Sequence, residues 1–201
     1  SGVPWQFIDG GYDRNTQFVV QADFDAAYAK PGFIAITAGL TINYDHSLEL
    51  DYSVTPTGDM PAGYVLHVAI LEKKTIKNTG SNSETEFFWV MKKMLPDASG
   101  TTLGAMMANT AITNTLNYTF NGNYRLPADA QNPINHTIEH SVEEFSDLIA
   151  VVWVQDTVTK AVMQSAYSSV TVGMTETERA SIITNVYPNP AQDQVNVSLN
   201  M

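Results

Sequence analysis

The chain of 201 residues contains no cysteine. This absence excludes disulfides, thiol catalysis and cysteine-ligated zinc within the chain. No apolar run approaches the ~20 residues that a membrane-spanning helix needs, so we expect no transmembrane helix. Charged residues make up only 15%, and acidic residues outnumber basic ones by 21 to 10, for a net charge of −11. Since that charge would repel a phosphate backbone, we expect no nucleic-acid partner.

The amino end also lacks the features of an export signal. Residues 1–5 have neither a basic start nor an apolar core, and a signal peptide needs both. The polar residues are largely Thr, Asn and Ser, a composition that suits an extracellular β-protein. If the protein is exported, we therefore expect its signal upstream of Ser1.

Hydrophobic periodicity predicts a β-protein. Hydrophobic residues make up 44% of the chain, enough for a packed core. Residues 48–54 alternate between apolar and polar, and residues 64–71 and 148–154 are nearly all apolar, as central strands are. About eight such segments with irregular loops predict an antiparallel β-sandwich, and no helices alternate with them as a doubly wound sheet requires. We predict that the following residues are buried between two sheets: Leu66, Val68, Ile70, Val152 and Val154.

One short helix is predicted within residues 15–30, where apolar residues recur at helical spacing until Pro31-Gly32 ends the pattern. We expect residues 1–30 to pack onto the sandwich, because their apolar side chains would otherwise face water. These side chains include Val3, Trp5, Phe7, Ile8 and Phe18.

The carboxyl end carries the most specific pattern. Two prolines bracket an asparagine in Tyr187-Pro188-Asn189-Pro190, and Val195, Val197 and Leu199 then alternate with polar residues, as in a half-buried strand. We expect the hairpin partner of that strand beyond Met201, and weak anchoring of the segment after Gly173. The string V-Y-P-N-P-A-x-D-x-V-x-V resembles the start of the C-terminal sorting domain of type IX secretion substrates in Bacteroidetes. The resemblance implies the outer membrane, cell surface or medium as location, and the type IX secretion machinery as a partner.

Blocks at residues 64–72, 90–96 with Gly100, 151–156 and 160–165 resemble, in their order, the C-terminal half of the outer-membrane-protein-28-related family of Bacteroidetes. That family implies a thioredoxin-like domain followed by an immunoglobulin-like sandwich, and residues 3–10 are similar to the proline loop and next strand of a thioredoxin fold. We therefore expect a thioredoxin-like remnant at residues 1–30 and an immunoglobulin-like β-sandwich at 31–173. Residues 174–201 would be a linker and the truncated start of a sorting domain. The family has no established activity.

Three functions follow as hypotheses. We favour a non-catalytic binding or structural module of an exported surface protein, with an unidentified protein or glycan as partner and no catalytic residue, metal ligand or cofactor assigned. A second hypothesis makes the chain an accessory to a thioredoxin-like thiol oxidoreductase whose cysteines lie before Ser1. The third is a metal-dependent hydrolase.

The hydrolase hypothesis depends on His136-Thr137-Ile138-Glu139-His140, which matches the H-x-x-E-H motif of some zinc proteases. That chemistry needs both histidines on one helical face, a carboxylate as base and a third ligand. Helical spacing fits Ile134, Ile138 and Val142, but a strand face fits His136 and His140 equally well, and no third ligand is evident. We predict that both histidines lie on a strand and bind no catalytic metal.

Other residue groups allow two interpretations each. Half of the ten basic residues could form a patch for an anionic glycan or lipid head group, or could protect sheet edges, which we favour; they are Lys73, Lys74, Lys77, Lys92 and Lys93. Of the three tryptophans, Trp5 and Trp89 could stack on sugars, whereas Trp153 is predicted to lie in the core. Loop carboxylates could hold calcium, but we favour solvated acids; they are Asp9, Asp13, Asp23, Asp25, Asp45, Asp51, Asp59, Asp97, Asp129, Asp147 and Asp156.

Short glycan-acceptor patterns complete the set of candidates. The tripeptides beginning at Asn117, Asn135 and Asn196 match the N-glycan acceptor pattern, which in a bacterium usually carries no meaning. Asp156-Thr157-Val158, at a predicted hairpin tip, is similar to the O-glycosylation site of Bacteroidetes.

Overall fold

The structure, a computed structural model, describes residues 5–10, 12–80, 82–127, 131–173, 185–187 and 196–198. It is mostly β, and two sheets face each other across one hydrophobic core. The predicted antiparallel β-sandwich is therefore confirmed at the level of its two layers.

The strands and the helix have the following bounds, with two single 3₁₀ turns at Thr16–Phe18 and Phe145–Asp147: β1 Trp5–Ile8, β2 Tyr12–Asn15, α1 Gln21–Tyr28, β3 Ile34–Ile42, β4 Ser47–Pro56, β5 Tyr64–Thr75, β6 Phe87–Leu95, β7 Thr101–Leu103, β8 Ile112–Thr119, β9 Asn123–Tyr124, β10 Glu139–His140, β11 Leu148–Asp156, β12 Val162–Tyr167, β13 Ser169–Val172, β14 Asn185–Tyr187 and β15 Asn196–Ser198.

The smaller sheet has the order β13-β3-β4-β8, and the larger sheet has the order β12-β11-β5-β6, with β7 also pairing with β5. Their pairs are antiparallel except for β13, which runs parallel to β3. The chain passes from β12 to β13 at Ser168, whose hydroxyl accepts a hydrogen bond from the Ala150 N–H at 3.0 Å. This residue, buried though polar, marks the point where the chain passes from the larger sheet to the smaller one.

The core follows from the period of two along each strand, because alternate side chains point to opposite faces of a sheet. All five residues predicted to lie between the sheets are fully buried, so this prediction is confirmed. They face the inward residues of the smaller sheet, among them Leu40, Leu48 and Leu50.

The N-terminal segment departs from the prediction. The helix begins only at Gln21, where the Asp23 carboxylate accepts a hydrogen bond from the Val20 N–H. Asn15, where the predicted helical pattern starts, instead ends β2 and caps the 3₁₀ turn Thr16–Phe18. The segment meets the sandwich at β12, since the Asp9 carbonyl accepts from the Val162 N–H at 2.8 Å. Phe7 and Phe18 nevertheless stay exposed, so the expectation that the apolar side chains of this segment are covered is wrong for these two.

The carboxyl-terminal strand has a partner that we did not expect. β15 pairs antiparallel with β14, with Val186 opposite Val197, so this strand has a hairpin partner that precedes the proline motif. The prolines themselves, together with Val195 and Leu199, lie outside the described residues. Among the described residues, no helix has the length and apolar character required to cross a membrane.

Candidate functional site

The H-x-x-E-H segment does not form one strand face. His136 lies in a turn, and only Glu139 and His140 are in a strand, the two-residue β10 that pairs in parallel with β9. The prediction that both histidines lie on a strand is therefore wrong for His136. The reason is local: Asn135 accepts hydrogen bonds from the Thr137 N–H and hydroxyl, which closes a turn at this point.

Glu139 is held by Arg125. The guanidinium donates to both carboxylate oxygens, at 2.7 and 2.6 Å, and also to the carbonyls of Asn132 and Pro133. The Asn135 N–H donates to the same carboxylate at 2.8 Å. The hydrogen bonds from Arg125 and then from Asn135 lower the pKa of Glu139 to about 2. A carboxylate stabilised in this way is a poor general base near neutral pH.

His140 is part of an aromatic cluster. Its ring is buried and meets the rings of Phe145, His46 and Phe120 at 5.2, 5.7 and 6.2 Å between centroids. Its Nδ1 accepts a hydrogen bond from the Val142 N–H at 3.2 Å, and burial lowers its pKa. The imidazole therefore has a packing role, and no group of three or more His, Asp or Glu side chains in the described part of the chain is arranged to hold a metal ion.

A buried ion pair lies beside this cluster, and sequence reasoning missed it. Glu72 on β5 and Lys92 on β6 approach to 2.9 Å with side chains 0% and 5% exposed. The Glu72 carboxylate also accepts from the N–H groups of Glu143 and Glu144, and the Lys92 ammonium donates to the Ser141 carbonyl at 2.7 Å. The pair therefore attaches the loop before β11 to the larger sheet.

The five lysines do not form one basic patch. Lys92 is buried in the pair with Glu72, and Lys74 forms an exposed ion pair with Glu86 at 2.6 Å. Lys77 and Lys93 lie over the rings of Tyr124 and Tyr118, at 4.3 and 5.3 Å from the ring centroids. Because these four ammonium groups are engaged within the chain, the geometry disfavours a site shared by all five lysines for an anionic glycan or lipid.

Several loop acids accept hydrogen bonds from nearby backbone or from their own turns. Asp45 accepts from Ser47, Asp97 from the Ser99 N–H, and Asp59 from the Ala108 N–H. Asp156 accepts from the N–H groups of Val158 and Thr159, which lowers its pKa. This turn exposes Val158, but the Thr157 hydroxyl donates to the Gly63 carbonyl at 2.8 Å. The hairpin tip is thus exposed, as an O-glycosylation site must be, but the Thr157 hydroxyl is hydrogen-bonded within the chain.

The outer face of the larger sheet is apolar and aromatic. Trp153 faces outward, half-buried, and stacks on His67 with ring centroids 5.1 Å apart. The prediction that it lies in the core is therefore wrong, because Val152 and Val154 take the inward positions of β11. Trp89 and Tyr167 are 51% and 63% exposed, and their ring centroids are 5.8 Å apart. We give the name aromatic face to seven of the outward side chains of this sheet; they are His67, Leu71, Trp89, Met91, Val151, Trp153 and Tyr167.

Comparisons with known proteins give only distant likenesses. No protein-family model and no curated protein matches the chain. A domain of the outer membrane lipoprotein Omp28 from Porphyromonas gingivalis is similar over 72% of this chain and 93% of its own, with 11% identity and a TM-score of 0.43. A β-glucosidase from Listeria innocua is similar over 71% of this chain and 16% of its own, with 20% identity and a TM-score of 0.31.

A β-glucosidase from Kluyveromyces marxianus covers 74% of this chain and 18% of its own, with 10% identity and a TM-score of 0.30. At these TM-scores none of the likenesses identifies the fold or the function.

Proposed function

We propose that residues 31–173 form a non-catalytic, immunoglobulin-like binding module of an exported cell-surface protein. The single observation that carries this proposal is the aromatic face, defined above. A solvated face of an antiparallel sheet is normally polar, whereas this one exposes Trp89, Met91 and Tyr167. Interfaces between proteins are enriched in aromatic residues and methionine, so the partner that fits this face best is another protein.

The backbone of Trp89 adds support. Its φ of 58° places a bulky side chain in the left-handed region, where non-glycine residues are uncommon and such backbone strain costs about 1–3 kcal/mol. Strain of this kind concentrates at functional sites. At Trp89 it accompanies an indole ring turned toward Tyr167 on the surface.

The strand order supports the immunoglobulin-like class. In such sandwiches the first, second and fifth strands share one sheet, and the third, sixth and seventh share the other. Here β3, β4 and β8 lie in the smaller sheet, while β5, β11 and β12 lie in the larger one beside β6. The cell-surface location is supported by the composition and by the resemblance of the terminal motif to a sorting domain.

A non-catalytic role is supported by what the candidate catalytic groups already do. Arg125 occupies the Glu139 carboxylate, and the His140 Nδ1 accepts from Val142. Both groups would have to leave these partners before they could act on a metal-bound water.

The binding proposal is tested by capture from the outer-membrane fraction of the source bacterium with the immobilised chain. We expect a specific protein that is retained by the native chain and lost with Trp89→Ala/Tyr167→Ala. The matched control is Thr37→Ala/Thr113→Ala, two exposed positions on the outer face of the smaller sheet. Equal capture by both variants would reject the aromatic face as the binding surface, and retention on a glycan array with no captured protein would make a glycan the partner. Proteolysis of intact cells tests the location, since a surface protein should be digested.

A second candidate is the accessory of a thioredoxin-like oxidoreductase. It is favoured by the exposed aromatic side chains of residues 5–28, which include Phe7, Phe18, Phe24 and Tyr28. Side chains of this kind would be covered if the segment belongs to a larger domain. Hydroxyl-radical footprinting of a longer gene product should then show these rings protected, whereas in the 201-residue chain they should react.

A further inference from the structure

The outer edge of β8 is a row of backbone groups with which no other described strand pairs. β8 pairs with β4 from Ile112 to Thr119 and is the last strand of the smaller sheet. Among the described residues, no backbone hydrogen bond reaches its other side. Such an edge is a template for a further strand.

This edge lacks the features that usually prevent pairing. The strand Ile112–Thr119 contains no charged residue, no proline and no glycine, and its register with β4 is continuous. The other outer strands are different. β6 carries a register shift and two lysines. β12 carries a register shift, and its Val162 N–H donates to the Asp9 carbonyl, whereas β13 has only four residues. Natural sandwiches protect edges with charge, bulges or short strands, and β8 has none of these.

We propose that β8 pairs antiparallel with β8 of a second copy of this chain, so that the two smaller sheets join into one continuous sheet. Residues opposite each other in an antiparallel pair lie on the same face, so a two-fold axis must pass through a residue of β8. The longest pairing results when that residue is Thr115 or Leu116, at the centre of the strand. With the axis through Thr115, Thr113 lies opposite Asn117 of the second copy. With the axis through Leu116, Thr115 lies opposite Asn117 of the second copy. On the outer face both registers align neutral hydrogen-bonding groups. On the inner face Asn114 lies opposite Leu116 when the axis passes through Thr115, and opposite Tyr118 when it passes through Leu116.

Electrostatics favours a second copy at this edge over other surfaces. The chain carries a net charge of −11, which opposes self-association in general. The carboxylates next to the edge are those of Glu49 and Asp51, both one strand inside on β4; Asp51 accepts from the Thr115 hydroxyl, and Glu49 lies opposite Asn117. Across the proposed interface these β4 carboxylates of the two copies would lie at least three strand spacings apart, about 14 Å, which exceeds the Debye length of about 8 Å at physiological ionic strength.

Sedimentation equilibrium of the full chain tests the proposal. We expect a weight-average mass that rises with concentration toward twice that of one chain. Thr113→Lys/Asn117→Lys, at exposed positions of β8, should stay monomeric. The matched control Ser169→Lys/Thr171→Lys changes the charge equally at the opposite edge of the same sheet and should dimerise as the native chain does. A native chain that is monomeric at all concentrations, or a β8 variant that dimerises like the control, overturns the proposal.

Cysteine cross-linking fixes the register, because the chain has no cysteine of its own. Thr115→Cys alone should give a disulfide-linked dimer if the axis passes through Thr115, and a mixture of Thr115→Cys with Asn117→Cys should do so if it passes through Leu116. Thr37→Cys on the interior strand β3 is the control and should not cross-link. Strong amide protection of β8 that is independent of concentration in a monomer would show that the chain covers this edge itself, and would likewise overturn the proposal.

Discussion

At the scale of single residues, the Glu72–Lys92 pair is the most sensitive point of the molecule. Taking a carboxylate and an ammonium out of water is costly, and only a close partner and further hydrogen bonds compensate for it. Here the compensation comes from Lys92, from two N–H groups of the loop before β11, and from the Ser141 carbonyl. Removal of one partner should therefore cost far more than loss of an exposed pair.

We predict that Lys92→Met lowers the free energy of unfolding by about 3–5 kcal/mol, because it leaves a buried carboxylate without its partner. The matched control is Lys74→Met, which breaks an ion pair whose side chains are 42% and 53% exposed and should cost about 0–1 kcal/mol. Urea denaturation of both variants measures the difference. Equal, small losses would mean that the ion pair does not hold the loop.

The Arg125–Glu139 pair predicts a pH dependence. The folded pKa of Glu139 is lowered from 4.5 to about 2, so its contribution to stability is fully present above pH 4.5 and is lost as the pH falls toward 2. We predict that Glu139→Gln is less stable than the native chain near neutral pH and that the difference shrinks toward pH 2. Urea midpoints at several pH values measure this, and a constant difference across the range would contradict it.

At the scale of elements, β5 and β11 supply the centre of the larger sheet, with adjacent positions in register from Tyr64 opposite Asp156 to Glu72 opposite Leu148. Their inward side chains from Leu66 to Glu72 and from Leu148 to Val154 are fully buried, so a shortened side chain leaves a cavity as well as losing transfer free energy. The outward side chains of the same strands form the aromatic face, which explains why both strands are apolar on both sides.

We predict that Val152→Ala destabilises the chain by about 1–4 kcal/mol through this cavity. Val158→Ala removes the same atoms at the hairpin tip after β11, where the side chain is 86% exposed, and should change stability by no more than about 0.5 kcal/mol. Chemical denaturation compares the two. A small effect at Val152 would count against its place between the sheets.

Sequence patterns predicted elements best where many residues repeat one period. The strands β4, β5 and β11 follow the predicted alternation or apolar run closely. The prediction for residues 134–142 was wrong in part, because their apolar spacing fits a helix and a strand equally. The turn at Asn135 and the Arg125–Glu139 pair fix a turn followed by a two-residue strand. The helix predicted from residue 15 starts late, because Asn15 closes a 3₁₀ turn and Asp23 caps the helix further on.

At the scale of the whole molecule, the core residues in the described part of the chain all lie within the sequence range from β3 to β13. Its buried members run from Ile34 to Val154, whereas α1 contributes no buried residue. The domain boundaries that we predict at residues 31 and 173 thus enclose every strand of both sheets of the sandwich.

We predict that residues 31–173 alone unfold cooperatively, with a near-ultraviolet circular dichroism signal like that of the full chain, because the core is complete within them. Residues 31–160, which lack β12 and β13, are the matched control and should not give a cooperative transition, since β11 and β3 would each lose a neighbour. Thermal unfolding distinguishes the two, and a non-cooperative transition for residues 31–173 would show that the N-terminal segment is part of the domain.

The sequence by itself determined the β class, the central strands, the buried rows and the lack of cysteine chemistry, because these depend on composition and on a period of two that is local in the chain. The tertiary structure alone decided which distant residues meet: Glu72 with Lys92, Arg125 with Glu139, and β14 with β15. It also decided that Trp153 faces outward and that β8 ends a sheet. Such outcomes depend on strand order and register, and a one-residue shift in register would place a different set of side chains on each face.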